Sequence, residues 1–198
     1  MTLAEQITEY WINEVGPKGW YMGGEALDTE IRERFEKHWI DAMEGAFGPW
    51  LMDAKGALAY LILTDQFPRN MFRGDARSFA SDALARAAAK HAIAEGWDQK
   101  VEPQSRQFFF LPLMHSENLV DQDRSVELFR TAMDGEDGNV IHAEAHRAVI
   151  RAFGRFPYRN EALGRETTSE EQRFLDAGAY GGLVKRMSEG AKTAFVSP

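Results

Sequence analysis

The chain has 198 residues and no cysteine, a length that fits one domain with a self-sufficient core. The lack of cysteine excludes disulfides and thiolate sites and is compatible with a reducing compartment, so we expect a single helical domain over residues 1–198 in the cytoplasm. The net charge of −8 at pH 7 repels phosphate backbones, so nucleic acid is not an expected partner. The first residues lack the basic start and apolar run of an export signal. Apolar stretches such as 57–63 are far shorter than the roughly 20 residues of a membrane-spanning helix, so no membrane is expected.

Apolar residues recur at helical spacing along almost the whole chain, and no strand-like alternation is visible. Ile31, Phe35 and Trp39 show the pattern, which predicts an all-α fold. Eight helices are expected, at Leu3–Val15, Asp28–Gly45, Met52–Gln66, Ser78–Glu95, Pro103–Phe110, Glu117–Met133, Val140–Phe153 and Ser169–Ala177.

Local chemistry predicts where several of these helices begin and end. Asp28 is a good N-cap, and Thr168 with Glu171 forms the pattern of a capping box. Pro68 and Pro157 are expected to push the phenylalanine before each of them out of the α region, which would end the preceding helix.

Three segments are expected to be loosely structured. Gly16–Leu27 contains four glycines and one proline, and Asp134–Asn139 is rich in acidic residues and glycine. The tail of about 17 residues after Gly181 shows weak periodicity and is expected to fray.

A short pattern occurs twice in the chain. Phe67-Pro68-Arg69-Asn70, followed by Gly74, recurs as Phe156-Pro157-Tyr158-Arg159-Asn160, followed by Gly164. The two prolines are 89 residues apart, which is not the period of a short solenoid repeat.

Three stretches of this sequence closely resemble the bacterial family catalogued as domain of unknown function 924. They are Asp65 to Asn70, Pro112 to Glu117, and Phe153 to Pro157 with Arg159-Asn160. The resemblance runs from Trp11 to about Leu175. It implies a tetratricopeptide-like α-α superhelix of antiparallel helix pairs and carries no established activity. Analogy with tetratricopeptide proteins suggests peptide binding, but only at the level of fold.

The polar residues of these motifs form the candidate ligand site. If the helices alternate in direction, the turns after the third, fifth and seventh lie at one end of the bundle. We therefore expect one polar surface made of Arg69, Asn70, Arg73, His115, Arg155, Arg159 and Asn160. Between Ala145 and Arg165 there are five arginines against the single acid Glu161. Guanidinium forks suit carboxylate or phosphate, so a small anionic metabolite is the expected ligand.

A structural interpretation of the same residues stays open. Arg69 and Arg159 could instead pair with nearby acids, namely Asp65, Asp75, Asp82, Glu117 or Glu161. In that case the asparagines would only cap turns and the prolines would only stop helices.

The histidines offer limited chemistry. His142 and His146 share one helical face, but no third ligand follows by spacing, so no metal is predicted and we expect one exposed and one hydrogen-bonded imidazole. His115 is the only plausible general acid or base in the predicted cluster, and neighbouring arginines would lower its pKa. Ser116 is expected to cap the sixth helix. No cofactor is predicted, because the sequence has no P-loop and no cysteine cluster.

The alternative function is a peptide-binding module without catalytic activity. It would require an exposed apolar groove away from the motif turns and would favour a basic peptide. The alanine-rich stretch Ser78–His91 would permit close helix approach, so a homodimer is also possible. The rings of Phe108 to Phe110 are expected in the core.

Overall fold

The computed structural model describes residues 1–133 and 137–190, with side chains for all of these except 137 and 138. Within these residues no strand occurs, and the predicted all-α fold is confirmed. None of the helices described is long and apolar enough to cross a bilayer. Backbone contacts divide the chain into two compact units, Met1–Pro112 and Leu113–Pro198. The expectation of one cooperative domain stays a prediction.

All eight predicted helices are present with shifted ends. In the first unit the helices are α1 (Leu3–Glu9), continued by a π-helix (Tyr10–Val15), then α2 (Gly16–Met22), α3 (Glu25–Met43), α4 (Ala54–Leu61), a second π-helix (Ile62–Gln66), α5 (Phe67–Met71), α6 (Asp82–Ala94) and α7 (Gln107–Met114). The boundary between the units falls within α7.

An aromatic cluster forms the core of the first unit. The ring of Phe67 lies 6.2 Å from Tyr10, 5.5 Å from Trp11 and 4.7 Å from Phe35, measured between centroids. All four rings are buried, and each buries roughly 150–250 Å² of apolar surface. This cluster packs the π-helix that continues α1 against α3 and α5. The rings of residues 108–110 are also buried, which confirms their predicted place in the core.

The prediction that Pro68 ends a helix is wrong. Phe67 has φ −58° and ψ −40°, so the chain stays helical from Ala54 to Met71. The wider π-helical turn before Pro68 makes this possible, because the N–H of Phe67 donates to Ile62, five residues back. Phe156, by contrast, has ψ 106° and leaves the α region as predicted. The duplicated sequence pattern therefore takes two different conformations.

The prediction of a loose loop at Gly16–Leu27 is also wrong. Trp20 anchors α2, since its indole Nε1–H donates to the carbonyl of Trp11 at 2.6 Å and its ring meets Phe108 edge-on. The next helix begins at Glu25 after Gly24, whose φ of 143° favours glycine. Asp28 therefore lies inside the first turn of α3 and is not its N-cap.

The second unit contains α8 (Leu119–Ala132), α9 (Asp137–Phe153), α10 (Ser169–Asp176) and α11 (Ala179–Ser188). The predicted capping box of Thr168 and Glu171 is confirmed at the start of α10. Ser116 does not cap α8. Asn118 does so, and the hydroxyl of Ser116 donates to Asp121 at 2.8 Å.

The prediction of a fraying tail after Gly181 is wrong as far as Ser188. Leu183 on α11 is 1% exposed, and Val184 and Met187 pack against the apolar face of α9. Residues 191–198 lie outside the described part of the chain. So do residues 134–136 of the predicted loop Asp134–Asn139, whose last residues belong to α9.

Candidate functional site

The motif arginine of the first unit is held by two carboxylates. Arg69 lies on α5, and its guanidinium nitrogens approach Asp82 at 3.0 Å and Asp65 at 3.3 Å. Asp65 is 1% exposed and lies in the π-helical turn. Arg69 also donates to the carbonyl of Ser78 at 3.0 Å. This is the pairing that the structural interpretation of the motif predicted for Arg69.

Asn70 and Arg73 converge on one acid, Asp28 of α3. The amide of Asn70 donates to Asp28 at 2.8 Å, and Arg73 donates to both carboxylate oxygens, at 2.8 and 3.0 Å. Burial alone would raise the pKa of Asp28, but these hydrogen bonds outweigh it and lower the pKa. The carboxylate of Asp28 thus occupies the donors that a ligand would use.

In the second unit, His115 directly follows α7 and its backbone is fixed on both sides. Arg159 donates to the carbonyl of His115 at 3.0 Å. The side-chain amide of Gln122 donates to the carbonyls of Met114 and Ser116, at 2.6 and 2.7 Å. Three carbonyls at the end of a helix are thereby satisfied. The imidazole of His115 lies 6.2 Å from that of His146, measured between ring centroids.

Arg159 is a buried cation on a short turn. It closes the 3-10 turn Pro157–Arg159, which begins at the extended Phe156, and it is 6% exposed. Its guanidinium carbon lies 4.6 Å from the centroid of the Phe156 ring, a cation–π contact. The turn therefore places a positive charge beside His115 and against an aromatic face.

Arg155 and Asn160 are organised by Glu171, a buried acid of α10. Arg155 donates to both oxygens of Glu171, at 2.6 and 2.8 Å, and the amide of Asn160 donates to it at 3.3 Å. Hydrogen bonding from Arg155 lowers the pKa of Glu171 to about 2. The sequence indicates Glu171 only as part of a helix cap, because no local pattern shows that it lies next to Arg155 in the fold.

The predicted excess of positive charge at Ala145–Arg165 is compensated by acids outside that segment. Arg165 binds both oxygens of Glu117 at 2.9 Å, and the N–H of Phe156 donates to Glu117 at the same distance. Arg147 and Arg151 approach Asp123 at 3.4 and 3.0 Å. Burial would raise the pKa of Glu117, but its bonds to Arg165 and Phe156 outweigh this and lower the pKa.

Two histidines and a tyrosine that were not among the predicted site residues lie close to one another, and one of them, His146, lies beside His115. His142 and His146 project from α9, and Nδ1 of His142 contacts the hydroxyl of Tyr180 on α11. The ring centroids of His146 and Tyr180 are 4.4 Å apart. Both histidines are half-buried, so the expectation that one is exposed is wrong. The spacing of the two histidines signalled their shared face, whereas Tyr180 lay beyond the last predicted helix, Ser169–Ala177.

The hydrogen bonds of His146 define its tautomer. Nδ1–H donates to the carbonyl of His142 at 2.9 Å, so Nε2 carries the lone pair of the neutral imidazole. Burial, and then the nearby His115 and Arg159, lower the pKa of His146 to about 3. Burial also lowers the pKa of His142. His146 is therefore a neutral hydrogen-bond acceptor at physiological pH.

The seven predicted site residues divide between the units. Arg69, Asn70 and Arg73 belong to the first unit, and the other four, from His115 onwards, belong to the second. Their convergence on one surface stays a prediction. Across residues 1–133 and 139–190, no group of three His, Asp or Glu side chains is placed to hold a metal ion.

These features define an all-helical protein with a histidine- and arginine-rich face on its second unit, and its sequence places it in a family. The chain belongs to the bacterial proteins of unknown function DUF924, whose family profile matches residues 7–179. The chain is also similar to a protein of unknown function from Agrobacterium tumefaciens of solved structure, at 41% identity and a TM-score of 0.84, over 89% of this chain and 98% of that one. No curated protein matches the chain significantly.

Proposed function

We propose that this protein binds a small carboxylated or phosphorylated metabolite in the cytoplasm, at the histidine face of its second unit. We define the histidine face as His115, His142, His146 and Tyr180 together with Arg159. The observation that carries the proposal is the pairing of a buried cation with a neutral acceptor. Arg159 contributes to the lowered pKa of His146, and Nδ1–H of His146 donates to the carbonyl of His142, which makes Nε2 the acceptor nitrogen of the ring.

The chemistry of this face suits an anion that also carries a hydrogen-bond donor. A guanidinium in a partly buried site attracts carboxylate or phosphate more strongly than it would in water. Nε2 of His146 would accept from a hydroxyl or amino group on the same ligand. A hydroxy acid or a phosphorylated sugar has both features.

The proposal narrows the set of ligand-binding residues expected from the sequence. Arg69, Asn70 and Arg73 already bind carboxylates of the protein, and so do Arg155 and Asn160. We assign these five residues to the support of the fold. Of the predicted set we keep His115 and Arg159 in the proposed ligand site, because the ring of His115 lies 6.2 Å from that of His146 and Arg159 donates to the carbonyl of His115.

The proposed function is binding, and catalysis by His115 stays a separate prediction. A general base works best when its pKa lies near the operating pH. The pKa of His146, about 3, is far below that range, so His146 would orient a ligand and would not take a proton from it at neutral pH.

The experiment is a thermal-stability scan against phosphorylated and carboxylated metabolites, with and without a hydroxyl group. Binding to the native state at about 100 times the dissociation constant adds roughly 2.7 kcal/mol, and each kcal/mol raises Tm by about 2–4 °C at this size. The variants are His146→Phe, which keeps an aromatic side chain but removes the ring nitrogens, and Arg159→Lys, which keeps the positive charge but removes the guanidinium group. Arg151→Ala is the control, because Arg151 is exposed on the same helix as His146 and pairs with Asp123.

We expect at least one hydroxylated anion to raise the Tm of the wild type and of Arg151→Ala, but not that of His146→Phe or Arg159→Lys. Circular dichroism would establish that each variant is folded. If no compound raises Tm, or if the rise persists in His146→Phe and Arg159→Lys, the histidine face is not the ligand site. The tetratricopeptide-like interaction module would then be the better account of the protein.

A further inference from the structure

A groove of about 840 Å³ lies in the first unit, lined by none of the residues of the three motifs. One wall is the face of α1 and its π-helical continuation that carries Ala4, Thr8 and Ile12, spaced four residues apart. The other walls come from residues 49–58 and 100–105. The volume is at the upper end of the roughly 300–1,000 Å³ of typical ligand pockets, and the groove is open to solvent, as suits an elongated ligand.

The floor of the groove is apolar and already shaped. Ile12, Trp50 and Leu58 contribute to it. A Cβ at Gly56 would lie 2.4 Å from the carbonyl oxygen of Trp50, so only glycine lets the turn at 48–52 pack this closely on α4. Asp53 caps α4 through the N–H groups of residues 55 and 56, at 2.9 and 3.0 Å. Because these contacts fix the floor without a ligand, little ordering is required for binding.

The rim of the groove carries an excess of negative charge. Four exposed carboxylates face two exposed lysines and the amino group of Met1. The carboxylates are Glu5, Glu9, Asp53 and Glu102, and the lysines are Lys55 and Lys100. Glu5 is fully exposed, and its hydrogen bond from the backbone of Thr2 lowers its pKa. The acidic rim therefore complements a basic ligand.

We propose that this groove binds a peptide segment of a partner protein in which one or two apolar side chains are flanked by lysine or arginine. The apolar side chains would contact Trp50, Ile12 and Leu58, and the basic residues would approach the carboxylates of the rim. This binding site is independent of the histidine face, which belongs to the second unit.

The test is selection of a random peptide library on the immobilised full-length protein, followed by anisotropy titration of the most enriched peptide. The groove variants are Glu9→Lys on the rim and Trp50→Ala on the floor. Glu33→Lys is the matched control, because Glu33 is an exposed acid of α3 that does not line the groove. Thermal denaturation of each variant establishes that it is folded.

We expect the enriched peptides to contain both basic and apolar residues. Glu9→Lys should lower their affinity about fivefold or more at low salt and by less at high salt. Trp50→Ala should also lower the affinity for these peptides, whereas the Glu33→Lys and Arg159→Lys variants should bind them as tightly as the wild type does. The proposal is overturned if no peptide is enriched, if the enriched peptides are acidic, or if Glu9→Lys and Glu33→Lys behave alike. It is also overturned if the wild type is a dimer that Glu9→Lys dissociates, since the occupant would then be a second copy.

Discussion

The hydroxyl of Ser81 donates a hydrogen bond to the backbone carbonyl of Thr64 at 2.5 Å, and both residues are fully buried. That carbonyl lies four residues before Pro68, which has no N–H to offer it. Ser81 in turn accepts from the indole of Trp39 at 2.9 Å. One hydroxyl thus satisfies a carbonyl exposed by a proline within a helix and links that helix to α3.

Replacement of Ser81 by alanine should destabilise the protein. The change leaves the Thr64 carbonyl without this donor and the Trp39 indole without its acceptor, so we expect a loss of about 2–3 kcal/mol in the free energy of unfolding. Urea denaturation measures it. Ser188→Ala is the control, because the exposed hydroxyl of Ser188 bonds only locally, to Lys185, and should change stability by less than about 0.5 kcal/mol. Equal effects of the two changes would refute the role given to Ser81.

Two adjacent glycines of α11 should respond to alanine in opposite directions. A Cβ at Gly182 would lie 2.5 Å from the carbonyl oxygen of Ala177, whereas a Cβ at Gly181 would meet nothing within 4 Å. Gly182→Ala should cost about 1–3 kcal/mol, and Gly181→Ala should add about 0.5–1 kcal/mol through its higher helix propensity. Thermal denaturation of both variants compares them. A stabilising Gly182→Ala would mean that α11 packs less closely than described.

Local signals account for the parts of this fold that the sequence could predict. The capping box of Thr168 and Glu171 depends on residues three apart, and the end of the helix before Pro157 depends on the neighbouring residue. The loop predicted from the glycine content of Gly16–Leu27 was wrong, because a distant contact stabilises a helix there. Trp20 anchors α2 against Phe108, which is far away in the sequence.

Long-range contacts also explain what was missed at the candidate site. The sequence did not indicate which acids pair with the arginines, because most of these partners, such as Asp28 for Arg73 and Glu171 for Arg155, are separated from them by many residues. Tyr180 beside His146 has no motif of its own. Composition and spacing indicate which residues are polar and clustered, but the fold decides which acid neutralises each cation.

Glu171 should make the protein sensitive to acid. Its pKa falls from 4.5 to about 2 on folding, so its contribution is complete above pH 4.5 and is lost as the pH falls towards 2. Glu171→Gln should cost about 2 kcal/mol at pH 7 and flatten the pH dependence of unfolding below pH 4.5. Glu170→Gln, a change in the exposed neighbour, is the control for urea denaturation at several pH values. An unchanged acid slope in Glu171→Gln would show that Arg155 does not hold this carboxylate.

His146 should make the stability of the protein depend on pH in a range above that of Glu171. Its pKa falls from 6.5 to about 3 on folding, so the unfolded chain binds the proton first and stability is lost as the pH falls below 6.5. Between pH 6 and 5, the slope attributable to His146 should approach one proton, about 1.4 kcal/mol per pH unit. Urea denaturation of His146→Phe should show a smaller slope in this window. An equal slope in both proteins would mean that His146 is protonated as easily in the folded state.

The most direct test of the histidine face is nitrogen NMR of the protein with labelled histidine, titrated with the compound that stabilises it most in the thermal scan. In the free protein, His146 should stay neutral between pH 5 and 8, with its proton on Nδ1. On addition of the compound, the Nε2 signal of His146 should shift in the wild type and stay unchanged in Arg159→Lys. Titration of His146 near pH 6.5, or imidazole signals that do not respond to any stabilising compound, would contradict the proposed ligand site.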